Sequence, residues 1–282
     1  MSVGMRPAKA NAAASGSSLY RLGIGAGLLW IAIIYAFLLV PILLVVVKSF
    51  NASELLTFPP EGFSLRWYRA FADSDSFVEA FKFSLMLAGV SSVIATLIGF
   101  FAAYGIQRTL VRRRELGQSL ALLPVMVPHV LIGMSLLLAL TVVPLPEAVA
   151  LAAGHVVIAV PFAIAAILAS LDGVDVSLEH AALTLGASRA QAAWEVVVPL
   201  CAPGLISAAL FAFIVSFGDA YIALFLSAPG KTTLPIEIFS FLQWESTPVV
   251  AAITSVQIFM IVLIGLLIER LVGVKRILRI RD

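Results

Sequence analysis

Six long uncharged stretches constrain the fold of this 282-residue chain more than any other feature of its sequence. A helix of about 20 apolar residues spans a lipid bilayer, and every one of these stretches reaches that length. Only 12% of the residues are charged, about half the share found in soluble domains. The sequence therefore predicts an all-α integral membrane protein with six transmembrane helices, in the stretches 22–47, 83–107, 116–146, 148–171, 196–218 and 246–268.

The ends of these stretches indicate where the helices stop. The stretch 116–146 is too long for one perpendicular span and contains four prolines, so we place its helix at 119–142. Proline removes a backbone donor and can leave carbonyls facing a wet cavity. Interruptions are therefore predicted at Pro41, Pro161 and Pro203, in the first, fourth and fifth helices. The first stretch is longer than the apolar part of a signal peptide, which indicates a retained helix.

Lysine and arginine fall unevenly on the two sides of the predicted membrane domain. Thirteen of the eighteen lie on the side of the two termini, and five lie in the loops 48–82 and 228–248. The side richer in these residues faces the cytoplasm, so we expect both termini there. The net charge of +2 is too balanced to indicate a nucleic-acid partner.

Composition divides the chain into three parts. Residues 8–18 (AKANAAASGSS) are small and polar and cannot bury a core, so we expect residues 1–20 to be a disordered cytoplasmic N-terminus. Residues 21–272 form the predicted six-helix membrane domain. Residues 273–282 form a basic cytoplasmic tail.

The loop 172–200, between the fourth and fifth spans, is predicted to form two short amphipathic helices joined by a glycine turn. Asp175 or Ser177 is available as the N-cap of the first helix, and Gly186 ends it. Ser188 and Gln191 form a capping-box pattern that starts the second helix. The apolar stripes of the two helices are Leu178, Ala181, Ala182 and Leu185, and then Ala190, Ala193, Trp194 and Val197.

Two interpretations of this loop remain open from its periodicity alone. Its apolar faces either bind a partner below the bilayer or pack against the rest of the loop. The arrangement is a helix-turn-helix unit in both cases.

A motif in this loop resembles a known signature. His-Ala-Ala at 180–182 is followed after three residues by Gly186, and further on by Val196, Val198 and Pro199. This spacing is similar to the EAA signature of permease subunits in bacterial ABC importers, which has Glu-Ala-Ala, Gly, and then Ile, Leu and Pro. The sequence departs from the signature in having His180 in place of the glutamate, although Glu179 is adjacent.

The resemblance extends over residues 20–272, and the stretches 49–68, 185–227 and 232–240 resemble the second permease subunit of spermidine/putrescine-type importers. It implies the type I importer permease fold, in a multi-pass protein of the bacterial inner membrane. It also implies no cofactor of its own, with ATP and magnesium on partner subunits. The implied partners are a homologous permease subunit, two ATP-binding subunits, a periplasmic solute-binding protein and the lipid bilayer.

In that family the EAA helix is the coupling helix, which seats in a groove of the ATPase. By position it covers residues 177–189 of this chain. The resemblance therefore implies an ATPase-coupling role for Glu179, His180, Ala181, Ala182, Leu185, Gly186 and Ala187.

The sequence lacks the motifs that several kinds of chemistry require. The sequence contains no Gly-x-x-x-x-Gly-Lys-Ser/Thr phosphate loop, so the chain cannot by itself use ATP in that manner. The three histidines, 129, 155 and 180, do not have metal-ligand spacing, and the single cysteine, Cys201, excludes a cysteine cluster. We predict no metal site and no catalytic residue, and a membrane-embedded enzyme lacks a nucleophile-base set.

Polar side chains at membrane depth are the remaining candidates, because ionisable residues there are costly and tend to face a cavity or a partner. Asp219 lies in the predicted fifth helix beside Tyr221, and Gln257 lies in the sixth. These three are the candidates for a substrate pathway, although structural pairing of Asp219 is equally open. His129 and His155 fall in the third and fourth helices, where hydrogen-bonded packing is favoured.

Two function classes follow from these observations. The first is the permease subunit of a binding-protein-dependent importer that moves a small solute, polyamine by resemblance, with ATP hydrolysed on separate subunits. The second is a self-sufficient secondary carrier driven by an ion gradient. Carriers often contain inverted repeats, and we find no convincing repeat in this chain.

Overall fold

All regular elements in the described part of the chain are helices, and one isolated bridge joins Asn51 to Phe63. The computed structural model describes residues 10–54, 59–108, 113–227, 231–245 and 247–279, without the side chains of 10–23, 267–269 and 271–279. A π-helical turn, Ala192–Val197, joins α8 to α9. The helices are α1 Ala10–Ser49, α2 Arg66–Ala72, α3 Asp75–Arg108, α4 Arg114–Met126, α5 His129–Leu140, α6 Glu147–Leu171, α7 Val176–Thr184, α8 Arg189–Gln191, α9 Val198–Gly218, α10 Tyr221–Leu226, α11 Leu234–Leu242 and α12 Val249–Arg279.

The predicted fold class is confirmed. Within the described residues, five helical segments are long and apolar enough to cross a membrane, and α4 with α5 makes a sixth if this bent pair is one span. The five are α1, α3, α6, the continuous run from α8 to α9, and α12.

The third span is the main correction to the predicted helices. In place of one helix at 119–142, α4 and α5 meet at an angle of 83°. Val127 between them is extended (φ −85°, ψ 124°), the conformation that a residue before proline prefers. Pro128 therefore breaks this span.

The other three prolines lie inside continuous helices. Helices α1, α6 and α9 continue through Pro41, Pro161 and Pro203. Membrane helices tolerate proline where neighbouring groups satisfy the freed backbone. The irregular backbone of the fifth span lies at the π turn that ends just before Val198.

The two ends of the chain differ in part from expectation. Helix α1 begins at Ala10, within the segment expected to be disordered, and alanine is the strongest helix former. Helix α12 extends to Arg279, into the predicted basic tail. Residues 1–9 and 280–282 lie outside the described part.

The centre of the bundle is formed by α3, α6 and α9, which meet through small side chains. Ala95, Ala159 and Ala212 are fully buried in one cluster. A Cβ added to Gly99 of α3 would come within 2.9 Å of the Cβ of Ala163. Small residues let membrane helices approach closely, so these three helices form the rigid part to which other elements attach.

One end of the bundle, which we call the Asn51 end, is closed by polar contacts. The buried side chain of Asn51 accepts hydrogen bonds from the backbone N–H groups of Ser53 and Glu61, each at 3.2 Å. The indole N–H of Trp67 donates to the Asn51 carbonyl at 2.8 Å. Helix α1 leads into this end and packs on α12.

Candidate functional site

The first part of the site is helix α7, which begins and ends as its sequence predicts. Its N-cap is Asp175, whose carboxylate accepts from the backbone N–H of Ser177 at 2.8 Å. This hydrogen bond lowers the pKa of Asp175, because it stabilises the ionised form. The predicted choice between Asp175 and Ser177 as N-cap is thereby decided for Asp175.

Gly186 supplies the predicted turn. Its φ of +96° lies in the left-handed region that residues with a Cβ rarely adopt. The N–H of Gly186 donates to the Leu183 carbonyl and the N–H of Ala187 donates to the Ala182 carbonyl, both at 3.1 Å. This pair of bonds is the Schellman motif that ends many helices at glycine.

The second helix of the loop begins with the predicted capping box. The Ser188 hydroxyl accepts from the N–H of Gln191 at 3.2 Å, and the Gln191 side chain accepts from the N–H of Ser188 at 2.8 Å. The helix then widens into the π turn, where Ala192 and Val197 are buried and Trp194 is 51% exposed. The predicted stripe therefore contributes Val197 to the core and leaves Trp194 at the surface.

Helix α7 has two chemically different sides. Leu185 is 89% exposed and Leu178 is 47% exposed, and Ala181 lies between them at the surface. We call Leu178, Ala181 and Leu185 the exposed face of α7. Of the predicted coupling residues, His180 is also exposed, whereas Ala182 and Ala187 are half-buried.

Glu179 lies on the other side of α7. Its side chain is only 11% exposed, and its Oε2 accepts from Nε of Arg108 at 2.8 Å. Its Oε1 accepts from the hydroxyl of Tyr104. Both partners belong to α3, so Glu179 points into this chain's own bundle, away from the exposed face of α7.

The end of α3 and the start of α4 contact the same region. The carboxylate of Asp172, just after α6, accepts from the Gln107 amide at 3.0 Å and from the Arg114 guanidinium. Arg108 and Arg114 entered the sequence analysis only through the excess of positive charge on the side of the termini. Nothing local in the sequence indicates that Arg108 or Arg114 binds a carboxylate more than fifty residues away.

The second part of the site lies where two helix breaks meet. Asp219 follows the last residue of α9 as its C-cap, and its side chain is 2% exposed. Its Oδ1 accepts from the backbone N–H of Ile222 in α10 at 2.9 Å. Its Oδ2 lies 2.7 Å from Nδ1 of His129, the first residue of α5. When Asp219 is ionised its carboxylate only accepts, and His129 is then the donor in this bond.

His155 lies nearby in α6 and is fully buried. Its Nδ1 lies 2.9 Å from the hydroxyl of Ser216, three residues before Asp219. The structure thus brings together Asp219, His129 and His155, which the sequence placed in three separate spans. Hydrogen-bonded packing, the interpretation favoured for the two histidines, describes their surroundings.

The other two predicted pathway residues are placed differently. Tyr221 begins α10 and is 56% exposed. Gln257 is half-buried in α12, and within the described segments no hydrogen bond joins it to Asp219. No group of three or more metal-ligating side chains occurs in the part of the chain that the structure describes.

The sequence of the helical bundle identifies its relatives. Residues 77–274 match the family of binding-protein-dependent transport system inner membrane components. The chain belongs to this family. It is a multi-pass inner-membrane component of a transport system.

Two curated relatives are similar over most of their length. The putrescine transport system permease protein PotI of Escherichia coli strain K12 is 31% identical over 258 residues, which cover 88% of this chain and 91% of PotI. The spermidine/putrescine transport system permease protein PotC of the same strain is 29% identical over 224 residues, or 79% of this chain and 84% of PotC. The predicted permease subunit is thereby confirmed.

Solved structures agree on the fold. A chain of a bacterial ABC transporter that imports the acidic polysaccharide alginate matches with a TM-score of 0.68 at 16% identity, over 90% of this chain and 98% of that chain. A second alginate transporter structure, in complex with a pentasaccharide-bound periplasmic protein, matches with a TM-score of 0.68 at 17% identity, over 90% of this chain and 95% of that chain. The fold is that of an ABC importer permease.

Proposed function

We propose that this permease forms half of a translocation pathway for a polyamine, putrescine or spermidine, or a closely related small cation. The names of PotC and PotI support this substrate class. A periplasmic solute-binding protein delivers the substrate, and a second, homologous permease subunit completes the pathway. The chain itself catalyses no reaction, and ATP and magnesium are bound by two partner ATPase subunits.

The exposed face of α7 is the observation that carries the proposed partnership with an ATPase. Leu185 is 89% exposed on a helix whose opposite side is held by the bundle. A large apolar side chain presented outside the apolar spans, on a well-capped helix, is suited to a protein partner. Of the two interpretations that periodicity left open, partner binding is the one this geometry favours.

The orientation of the chain in the membrane follows from the proposed binding of an ATPase to α7. The ATPase lies in the cytoplasm, so α7 and both termini face that side and the Asn51 end faces the periplasm. The excess of lysine and arginine on the side of the termini supports this orientation.

Asp219, Tyr221 and Gln257 remain our predicted pathway residues, with Asp219 the strongest. It lies at a helix break, and broken helices near mid-membrane mark substrate sites in many transporters. Its two oxygens already bind Ile222 and His129. We therefore propose that Asp219 shapes the pathway through these contacts, with Tyr221 exposed beside it.

A single substitution tests the ATPase partnership. Leu185→Glu places a charge on the exposed face of α7, and we expect the variant purified in mild detergent to lose its ATPase subunits while the permease pair remains. Leu65→Glu is the matched control, because Leu65 is 57% exposed at the Asn51 end. Retention of the full ATPase complement by Leu185→Glu would refute the assignment.

The substrate class is tested by uptake in cells. Cells that lack the endogenous polyamine importers and express the complete system should accumulate labelled putrescine or spermidine, with competition by the unlabelled compound. Accumulation of a neutral or anionic solute with no polyamine uptake would contradict the proposed substrate.

A further inference from the structure

Three side chains on one side of α3 contact both helical parts of the 172–200 loop, α7 and the π turn. Phe100, Tyr104 and Arg108 are spaced by four residues and so lie on one side of the helix. Tyr104 and Arg108 bind Glu179 of α7, and the ring of Phe100 lies 6.1 Å from that of Trp194 in the π turn. Phe100 and Tyr104 also stack on each other, with ring centroids 5.9 Å apart. We call these three residues the α3 clamp.

The contact between the clamp and α7 is shielded from water. The side chains of Arg108 and Glu179 are 12% and 11% exposed. Removing one member of a buried pair leaves an uncompensated charge and is strongly unfavourable. Arg108 and Glu179 therefore move together while the loop stays docked.

The geometry of α7 separates this contact from the surface offered to a partner. At 100° per residue, Leu178, Ala181 and Leu185 lie about 100–160° around the helix from Glu179. A force applied to the exposed face of α7 therefore reaches the α3 clamp through the helix itself and through Glu179. Helix α3 in turn packs closely against α6 and α9 through Ala95, Ala159 and Ala212.

We propose that the bond of Glu179 to Arg108 and Tyr104 is the link that transmits movement of the loop to the transmembrane core. This inference rests on the proposed function, since the moving partner is the ATPase. Glu179 and Arg108 are positioning residues in this account, because neither touches ATP or the transported solute. His180 is exposed and lies about 100° around the helix from Glu179, so it does not take the place of Glu179 in this bond.

Glu179→Gln tests the link in the reconstituted complex of permeases and ATPase, with its binding protein. The glutamine keeps the size and loses the charge that holds Arg108. We expect ATP hydrolysis to continue while solute transported per ATP falls by roughly fivefold or more, the lower end of typical coupling between sites. A purely structural role would lower both activities together, in proportion to the assembled complex.

Two further variants make the result specific. Glu195→Gln is the matched control, because Glu195 is exposed in the same loop, and it should keep the normal transport per ATP. The exchange of Glu179→Arg with Arg108→Glu restores an opposite-charge pair and should recover part of the lost transport per ATP.

The outcomes separate this inference from the proposed function. Normal transport per ATP in an assembled Glu179→Gln complex would overturn the link and leave the permease assignment intact. Failure of the unmodified chain to bind an ATPase would overturn the proposed partnership itself. A proportional loss of hydrolysis and transport with no recovery in the exchanged pair would also overturn the link.

Discussion

At the scale of single residues, the position of Asp219 has the largest consequences. Its carboxylate joins the end of α9 to the start of α10 and, through His129, to the break in the third span. Three chain segments therefore depend on one side chain that is 2% exposed. Charge lost at such a site affects both the local backbone and the helix that carries His129.

Asp219→Asn is predicted to lower the thermal stability of the purified complex and to reduce transport. The amide keeps an acceptor oxygen for the Ile222 N–H but carries no charge, so it loses the charge-assisted bond that an ionised carboxylate makes with His129. Leaving a buried hydrogen-bonding group without its partner costs about 1–3 kcal/mol in soluble proteins. Thermal unfolding of the complex and uptake by the same preparation measure the two effects.

Asp73→Asn is the control for this change, because Asp73 is exposed. A lost transport activity with unchanged thermal stability would show that Asp219 acts on the solute and not mainly on the helices. Full stability and full transport in Asp219→Asn would remove the residue from the account altogether.

Local residue patterns predicted the turns and helix caps well. They did not predict the side-chain bonds between residues that lie far apart in the sequence. Gly186 and the Ser188–Gln191 box were predicted correctly because each depends on neighbours in the chain. The Glu179–Arg108 and His129–Asp219 bonds join residues 71 and 90 positions apart. A single sequence contains no signal for such pairs, since either partner is compatible with many others.

At the scale of helices and turns, the 172–200 loop and the broken third span are the two elements to which we assign the proposed ATPase coupling and solute pathway. The loop needs a left-handed residue at 186 so that α7 and α8 can turn on each other. The third span needs Pro128 so that α5 starts with His129 beside Asp219. The proline positions were visible in the sequence, but the described helices continue through Pro41, Pro161 and Pro203, and the break occurs at Pro128.

Gly186→Val is predicted to weaken the loop more than Gly186→Asn. No atom lies within 4 Å of an added Cβ, so the cost comes from the backbone conformation and not from a clash. Left-handed backbone costs an L-residue roughly 1–2 kcal/mol, and asparagine tolerates it best. Transport per ATP and ATPase retention in the two variants measure the effect.

The membrane helices should insert normally in both variants, since residue 186 lies outside the predicted spans. Equal behaviour of the valine and asparagine variants would show that the left-handed turn is dispensable. Normal ATPase retention and transport in the valine variant would exclude the loop from coupling.

At the scale of the whole molecule, orientation decides which partners each surface meets. We predict that a thiol reagent unable to cross the membrane labels a cysteine introduced at Lys231 in intact cells, but not one introduced at Ser188. Both positions are exposed, and the native Cys201 is fully buried and gives little background. Ser64, which is half-buried at the Asn51 end, is a second outer position.

Permeabilised cells supply the control, because both cysteines should then react. Labelling of the Ser188 cysteine in intact cells would reverse the orientation and place the exposed face of α7 on the wrong side for an ATPase.

The whole assembly also explains why much of this chain's apolar surface lies open. Helix α1 packs on α12 and leaves side chains such as Phe37, 78% exposed, facing outward. Lipid and a second permease subunit are the surroundings we propose for that surface. In the proposed complex this chain supplies half of the pathway, so we expect its transport to depend on the complete complex.

Solute uptake by the reconstituted system tests the central claim most directly. Proteoliposomes that contain the permease pair and ATPase subunits are assayed for labelled polyamine uptake with and without ATP at the ATPase side and binding protein at the opposite side. We predict uptake only when both are present, and none with the chain alone under an ion gradient. Uptake by the chain alone that follows the ion gradient and ignores ATP would contradict the account.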